Sequence, residues 1–293
     1  MWGADVASVL DAYFADPDAA PDTLVTAFRH VFVPIHRSDY VTAAARRADK
    51  DRLKQTGRWL VRHSPDRDSA IVGLALLAAI WDEDDIPLIQ MIGLLSDKFA
   101  ALAAEALTRR RGGDAALLWL APRVSGWGRV YIVEALCRSV VGPEARAWLL
   151  RFACEGGGLD GYFAGKVATA AHLHEGIISP AADDDLIDHT GRLLLTMADC
   201  GGMGLTLEHY PPAPIVLRRH AELLKGQTPT AARYLTATVL THYLTKQEPH
   251  RLGCAAEQRD HVLADYLVVL NRPEWIEVGR TSGRASGVLP RGQ

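Results

Sequence analysis

"DIPLIQMIGLLSDKFAALAAEALTRRRGG" (85–113) runs without a gap into "DAALLWLAPRVSGWGRVYIVEALCRSVVG" (114–142), and both stretches are 29 residues long. When the first is laid over the second, Glu105 falls on Glu134, and each glutamate is followed by Ala-Leu. Within each stretch the apolar residues recur at the spacing of an amphipathic helix. The register therefore predicts two copies of a helical hairpin, each with a short outer helix, a turn and a more apolar inner helix.

The same pattern extends beyond these two stretches. Residues 143–158 begin a third copy, in which Trp148 falls on Trp119, and residues 51–81 have the same outline with a looser register. A two-helix hairpin is too small to bury its apolar face alone, so neighbouring hairpins are expected to stack on each other. Strand patterns are nearly absent. The sequence thus predicts an all-α fold of stacked helical hairpins.

The register also makes local predictions. Met91 falls on Leu120, so we expect both side chains to point into the core of the stack. Ser125 falls on Ser96 at the start of the inner helix, where a serine hydroxyl accepts a hydrogen bond from an unpaired backbone N–H group. Both pairs therefore test whether the two hairpins are equivalent residue by residue.

The period and the pairing of helices resemble HEAT-type helical repeats, the α-solenoid architecture found in many proteins, bacterial ones included. The resemblance covers about residues 45–175 and implies a superhelix of stacked hairpins. Four regions are expected on this basis: N-terminal helices packing on the stack (1–44), HEAT-like repeats (45–175), a C-terminal helical region continuing the stack (176–275) and a flexible tail (276–293).

The composition is that of an ordinary globular protein and indicates no particular class of partner. A net charge of −3 and a pI near 6.4 give no general attraction to nucleic acid or to an anionic membrane. The first residues lack the basic region of a signal peptide, and the longest apolar run, 70–81, is too short to span a bilayer. The four scattered cysteines are typical of buried thiols in a reducing compartment. We therefore expect a cytoplasmic protein.

No established catalytic, cofactor or metal-binding motif occurs in the sequence. The two histidines of "HLHE" (172–175) diverge on a helix, and the acids of "WDEDD" (81–85) are expected to cap the helix that begins at Ile86. His189 and Asp185 have the spacing of an ordinary surface pair on a helix. We therefore assign no catalytic residue, no metal ligand and no cofactor.

The strongest surface feature is a basic stripe in residues 46–62. On one long helix, expected to run from Ser38 to about His63, five cations share a face with Trp59 beside them: Arg47, Lys50, Lys54, Arg58 and Arg62. Residues 45–68 hold eight Lys and Arg against four Asp. Two interpretations stay open, a solvated helix face or an anion-facing stripe that binds phosphate, nucleic acid or an acidic partner.

Two further segments are candidate binding elements. In "SGWGRVYIVEAL" (125–136), Trp127 and Arg129 lie where a turn meets an inner helix, and the simpler interpretation of the segment is a helix start. In "EHYPPAP" (208–214), His209 and Tyr210 lie in a stiff segment that is expected to be exposed. That segment forms either the rim of a ligand-binding groove or a plain connector between helices.

These features favour a non-catalytic helical-repeat protein that binds another macromolecule, most simply a protein, in an interaction, scaffold or immunity-type role. The alternative is an enzyme, since the architecture resembles HEAT-like DNA glycosylases, which remove alkylated bases using a basic concave face, tryptophans and an acid. That resemblance matches no motif residue by residue, so no catalytic residue is transferred. Glu105 more simply pairs with Arg109 four residues later. Nucleic acid would bind through the 46–62 stripe, and no membrane partner is expected.

Overall fold

A computed structural model describes residues 2–139 and 141–285 of the chain, except for the side chains of 282–285. Throughout this part the fold is all-α, with 17 α-helices, several short 3-10 turns and no strand. The chain divides into two compact units, Met1–Val140 and Val141–Gln293. No α-helix among the described residues has both the length and the apolar character needed to cross a membrane. The prediction of an all-α fold is confirmed.

The described part of the N-terminal unit contains nine α-helices: α1 (Ala4–Ala15), α2 (Asp22–Ala27), α3 (Asp39–Arg47), α4 (Lys50–His63), α5 (Arg67–Ala79), α6 (Ile86–Leu95), α7 (Asp97–Thr108), α8 (Gly113–Leu120) and α9 (Gly126–Arg138). The described part of the C-terminal unit contains eight: α10 (Pro143–Phe152), α11 (Ala164–Ala170), α12 (Leu173–Ile178), α13 (Asp184–Asp199), α14 (Ala213–Leu224), α15 (Ala231–Lys246), α16 (Ala256–Leu270) and α17 (Pro273–Ala285).

Side-chain caps decide where several helices begin, and one of them corrects the sequence prediction. Ser38 caps α3 as expected, because its hydroxyl accepts a hydrogen bond from a backbone N–H in the first turn. The single long helix expected over 38–63 is wrong, since α3 ends at Arg47 and α4 begins at Lys50. The carboxylate of Asp49 accepts a hydrogen bond from the N–H of Arg52 and so starts a new helix.

In the N-terminal unit most helices pack against the next helix in the chain and against the one after it. Helix α4 packs on α5, α6 on α7 and α8 on α9, while α7 contacts both α5 and α9. Helices α6 and α8 also contact each other. The largest fully buried side chains of α5 are these: Ile71, Leu74, Leu76 and Leu77. Helices α5, α7 and α9 therefore form the buried centre of this unit.

The pattern of buried residues agrees with the 29-residue alignment in α7 and α9 and disagrees with it in α6 and α8. Leu107 of α7 and Leu136 of α9 occupy matching positions, and both are buried. On the outer helices Leu120 is fully buried, but Met91 is 60 % exposed, so the expectation that Met91 faces the core is wrong. Ile92, the next residue, is buried instead. The buried positions of α6 therefore recur in α8 after one residue fewer than the buried positions of α7 recur in α9.

In the C-terminal unit α13 is central and packs against α10, α11, α14 and α15. The surface pair expected between His189 and Asp185 is wrong, because His189 lies on the same face of α13 as Leu193 and is fully buried. Its Nδ1 lies 2.8 Å from the carbonyl oxygen of Leu150, and its Nε2 accepts a hydrogen bond from the N–H of Cys154 at 2.9 Å. His189 thus connects α13 to the end of α10.

Helix α17 packs on α15 and α16 and buries Trp275 completely. The flexible tail expected from residue 276 is wrong as far as Ala285, because α17 continues to that residue. Gly279 makes this docking close, since a Cβ atom added there would lie 2.4 Å from the ring of Tyr234. The rest of the expected tail, 286–293, lies outside the described residues.

Helices α4 and α5 approach each other closely at Gly73. A Cβ atom added there would lie 2.6 Å from the Cβ atom of Leu60 and 2.9 Å from the backbone nitrogen of Val61. We therefore expect Gly73→Ala to lower the free energy of unfolding by about 1–3 kcal/mol, because the two helices must move apart. Urea denaturation measures this change.

Gly128→Ala in α9 is the control for this prediction. A Cβ atom added at Gly128 meets no atom closer than 3.5 Å, so the higher helix propensity of alanine is expected to raise stability by up to about 1 kcal/mol. Shifts of the same sign in Gly73→Ala and Gly128→Ala would contradict the close contact between α4 and α5.

Candidate binding groove

The basic stripe predicted from the sequence is largely neutralised by acids from distant parts of the chain. Three of its five cations form ion pairs: Arg47 with Asp11, Lys54 with Asp82, and Arg58 with Asp85. Lys50 and Arg62 are exposed and make no ion pair within the described residues. Trp59 is half-buried, and its ring lies 5.5 Å from that of His63. The stripe therefore presents two unpaired cations to solvent rather than five.

The acidic loop 81–85 is the partner of α4 rather than a cap for α6. Asp82 caps the short 3-10 turn that follows it, and its hydrogen bond with Lys54 holds the pKa of Asp82 below its usual range. Asp85 is buried against Arg58, and its side chain makes no cap on α6, so the expected capping of α6 is wrong. Among the described residues no group of three His, Cys, Asp or Glu side chains could hold a metal ion.

We expect duplex DNA to bind the protein with a shallow salt dependence. Each neutralised phosphate contributes about −0.9 to the slope of log K against log salt concentration, so two unpaired cations give a slope no steeper than about −2. Titration of a labelled duplex at several salt concentrations measures the slope. The variant Lys50→Glu with Arg62→Glu is expected to lose the remaining binding. A slope of about −5 would contradict the neutralised stripe, because it requires all five cations.

The segment that contains Trp127 and Arg129 is partly structural. Arg129 is buried and donates a hydrogen bond to the carbonyl oxygen of Ala121, a position that supports the helix rather than a ligand. The expected cap by Ser125 is wrong, since its side chain makes no capping hydrogen bond and the following glycine has a φ of +57°. Trp127 is exposed, and its ring stacks on Tyr131 with the centroids 6.0 Å apart.

The 208–214 segment is exposed only in part, because His209 and Pro211 are exposed, whereas Tyr210 is buried, contrary to the expectation. Tyr210 is only 2 % exposed, and its hydroxyl oxygen accepts a hydrogen bond from the N–H of His174 at 3.2 Å. Burial raises the pKa of Tyr210 to about 12. His209 Nδ1 lies 2.8 Å from the hydroxyl oxygen of Thr206 and closes the turn before α14. Both side chains therefore hold this connector in place.

A groove in the N-terminal unit brings together residues that are far apart in the sequence. It has a volume of about 1210 Å³ and is open to solvent. Trp2 and the extended segment 31–35 supply its apolar lining. Its charged lining consists of three cations and one acid: Arg37, Arg67, Lys98 and Asp68. Apolar and charged groups therefore face one open space, as they do in many protein-binding sites.

Trp2 and Phe32 are the most exposed large side chains of the groove, at 72 % and 63 %. Their rings meet edge to face with the centroids 5.1 Å apart. The hydroxyl of Ser38, which also caps α3, donates a hydrogen bond to the carbonyl oxygen of Trp2 at 3.0 Å. Gly3 has a φ of +96° and lies against Ser38, where a Cβ atom would be 2.5 Å from its Oγ. The ring pair is thus held in place by the starts of α1 and α3.

A second group of rings lies beside the groove. His36, which lines it, packs edge to face on Tyr131 with the centroids 5.4 Å apart, and Tyr131 stacks on Trp127. Burial and the carboxylates of Asp97 and Glu134 raise the pKa of Tyr131, so its phenol stays neutral. Of the residues proposed from the sequence, Trp127 is therefore placed next to the groove.

A narrow pocket with little free space shares Val33, Pro34 and residues 36–38 with the groove. Glu105 lines it and lies between two guanidinium groups, with Arg109 at 2.6 Å and Arg37 at 3.3 Å. The predicted pair of Glu105 with Arg109 is confirmed. Because Arg37 lines both cavities, this ion-pair network connects the groove to α7.

Comparisons of the chain with models of protein families, with curated proteins and with solved structures gave no match. The functional argument therefore rests on the geometry of the groove. Sequence reasoning missed Trp2 and Phe32 because the two residues are far apart in the chain and only the fold brings their rings together. The pattern of 23–32 resembles a helix that reaches Phe32, but the helical backbone ends at His30.

Proposed function

We propose that the protein is a non-catalytic protein-interaction module, which holds a segment of a partner protein in the groove beside residues 31–38. The observation that carries this proposal is the exposed ring pair of Trp2 and Phe32, fixed on the wall of an open groove. Large aromatic side chains on a pre-formed groove are the kind of residue that dominates the energy of protein–protein binding.

The packing of the N-terminal unit supports the same role. The successive pairs α4–α5, α6–α7 and α8–α9 contact one another through α5, α7 and α9, which supports a stack of hairpins. Such a stack presents an extended surface that grips other macromolecules, which fits a scaffold or immunity-type role. In this proposal the groove lies where the segment before α3 meets the series of hairpins.

The alternative, a HEAT-like DNA glycosylase, has less support. It would use the basic stripe, exposed tryptophans and an acid, and each of these has a partner within the N-terminal unit. Three cations of the stripe are ion-paired. The ring of Trp119 is covered by the guanidinium group of Arg123 at 4.3 Å. Glu105 lies between Arg37 and Arg109.

Removal of either ring of the pair is expected to weaken binding of the partner strongly. Burial of one large aromatic side chain contributes about 1.5–3 kcal/mol, so we expect Trp2→Ala and Phe32→Ala each to raise Kd by about tenfold to a hundredfold. The partner is captured from the native host on the immobilised full chain, identified and purified. Titration of the purified partner then gives Kd for each variant.

Trp81→Ala is the matched control, because Trp81 is 65 % exposed and lies outside the groove. All three side chains are exposed, so each substitution is expected to change the free energy of unfolding by less than about 0.5 kcal/mol. The proposal is wrong if Trp81→Ala weakens binding as much as Phe32→Ala, or if neither groove variant changes Kd.

A further inference from the structure

We infer that the segment held by the groove is an extended stretch of protein that carries carboxylates around an apolar anchor. This inference rests on the proposed function and specifies the chemistry of the partner at the same site. It is carried by one juxtaposition, in which unpaired backbone N–H groups and three cations lie beside the apolar wall of Trp2 and Phe32.

The backbone donors come from the segment 31–38, which is extended at both ends, at Val31 and at Ser38. Within the part of the chain that the structure describes, no hydrogen bond uses six of its N–H groups: Phe32, Val33, Ile35, His36, Arg37 and Ser38. A peptide laid along such a segment can bond the N–H groups on its side with its own carbonyl or carboxylate oxygens, as in strand addition. The segment therefore carries donors that lack acceptors within the described residues.

The charged side chains of the groove also favour an acceptor-rich partner. Its lining contains Arg37, Arg67 and Lys98 but only one acid, Asp68. Arg67 pairs with Asp68 at 3.0 Å and Lys98 with Asp97 at 3.6 Å, and both pairs are exposed. Each of these two pairs joins adjacent residues, unlike the pair of Arg47 with Asp11, which makes three hydrogen bonds, so a partner's carboxylates can replace Asp68 and Asp97. Arg37 stays paired with Glu105 at 3.3 Å and with Asp39 at 3.6 Å.

The apolar wall favours a peptide over a nucleic-acid strand. Pro34 and Ile35 present aliphatic surface, whereas bases bind by stacking on the faces of aromatic rings. Trp2 and Phe32 meet edge to face and so do not form a row of parallel stacking faces.

Peptide display on the immobilised full chain tests the inference. A library of random peptides is selected on the wild-type protein and, in parallel, on Phe32→Arg. We expect the wild type to enrich peptides in which Asp and Glu flank Leu, Phe or Trp. The Phe32→Arg protein is expected to lose that enrichment, because the arginine removes the apolar anchor site.

The most enriched peptide is then titrated against charge variants. The variant Arg67→Glu with Lys98→Glu is expected to weaken binding by about tenfold or more, because it places like charges against the peptide. The variant Lys50→Glu with Arg62→Glu makes the same change of charge on a different surface and is expected to stay within about twofold of wild type. A version of the peptide with Lys in place of Asp and Glu is expected not to bind.

The outcomes separate this inference from the proposed function. The inference is wrong if the peptides lost in Phe32→Arg show no excess of Asp and Glu. It is also wrong if Arg67→Glu with Lys98→Glu leaves the affinity of the selected peptide unchanged. Either result leaves the proposed function standing. Enrichment that is absent, or equal on wild type and Phe32→Arg, overturns both. Displacement of the selected peptide by single-stranded oligo-dT also overturns both and assigns the groove to nucleic acid.

Discussion

Replacement of Arg110 by methionine is expected to lower the free energy of unfolding of the N-terminal unit by about 3–5 kcal/mol. Arg110 is only 5 % exposed, and its guanidinium group donates hydrogen bonds to three carbonyl oxygens. Nη1 lies 2.5 Å from the oxygen of Ala106, Nη2 lies 2.8 Å from that of Leu77, and Nε lies 2.8 Å from that of Asp82. Methionine can occupy much of the same space but removes all three charge-assisted donors, and the oxygens of Leu77 and Asp82 then keep only the longer hydrogen bonds from the N–H groups of Ile80 and Asp85, each at 3.3 Å.

Two of these carbonyl groups lie at helix ends. Leu77 and Ala106 are in the last turns of α5 and α7, where carbonyl oxygens lack the donor that a continuing helix would supply, and Leu77 accepts a long hydrogen bond from the capping N–H of Ile80 at 3.3 Å. Burial lowers the pKa of Arg110, and the carboxylates of Asp85 and Asp82 oppose that shift. An arginine stays protonated in this situation, so the group keeps its charge-assisted hydrogen bonds.

Arg111→Met is the matched control, because Arg111 is the next residue and is exposed. We expect this change to alter the free energy of unfolding by less than about 0.5 kcal/mol. Urea denaturation followed by tryptophan fluorescence gives both values, since the N-terminal unit holds most of the tryptophans. Equal losses in Arg110→Met and Arg111→Met would show that the three buried hydrogen bonds contribute nothing specific.

Features that depend on a few neighbouring residues could be predicted from the sequence. Asp66 caps α5 through a hydrogen bond from the N–H of Ser69, and the cations at the end of α7 lie near free carbonyl groups, as their positions indicate. The burial of Arg110 could not be predicted, because its partner Leu77 is 33 residues away. The sequence thus indicates that a cation bonds the carbonyl groups at the end of α7. Only the fold shows that Arg110 is buried and also bonds Leu77.

The register of the outer helices failed for a physical reason. Helix α6, "IPLIQMIGLL", is apolar on every face, so its sequence does not define which side is buried. Helix α7 carries Lys98 and Glu105 among small apolar residues, and these charges fix its orientation. The prediction that Met91 faces the core therefore failed, whereas Leu107 of α7 lies at a position matching that of Leu136 and both are buried.

The candidate site lay beyond sequence reasoning because its parts are distant in the chain. Residues 45–68 carry an excess of cations, but the acids that neutralise two of these cations lie elsewhere in the chain. Asp85 is 27 residues from Arg58, and Asp11 is 36 residues from Arg47. The groove likewise combines residues that are far apart in the chain, from Trp2 to Lys98. Such pairings arise from the packing of α1, α3, α5 and α7, which no local pattern specifies.

Acidification is expected to destabilise the C-terminal unit through His220. Burial is the largest cause and, with the charge of Arg233, lowers the pKa of His220 to about 4, against an opposing hydrogen bond with the backbone of Ile187. Its Nδ1 lies 2.8 Å from the hydroxyl oxygen of Tyr266. Burial raises the pKa of Tyr266 well above its ordinary value, so the phenol donates and the neutral imidazole accepts.

The sign of the effect follows from which state binds the proton. Histidine in the unfolded chain titrates near pH 6.5, whereas His220 in the folded protein titrates near pH 4, so between these values only the unfolded state is protonated. The stability linked to the neutral ring is complete above about pH 6.5 and is lost as the pH falls toward 4. From about pH 7.5 to about pH 4.5, we expect this group alone to lower the free energy of unfolding by about 2–3 kcal/mol.

His220→Gln separates this contribution from that of the other titrating groups. Glutamine keeps a donor and an acceptor but does not titrate, so its urea midpoint is expected to fall less than that of wild type between the two pH values. Only the difference between the two pH values is compared, because the absolute stability of the variant also reflects the altered packing around the ring. Wild type and His220→Gln contain the same Asp and Glu residues, so the contribution of these residues to the pH dependence cancels in the comparison. If the urea midpoint falls equally in wild type and in His220→Gln, protonation of His220 is not what destabilises the protein at low pH.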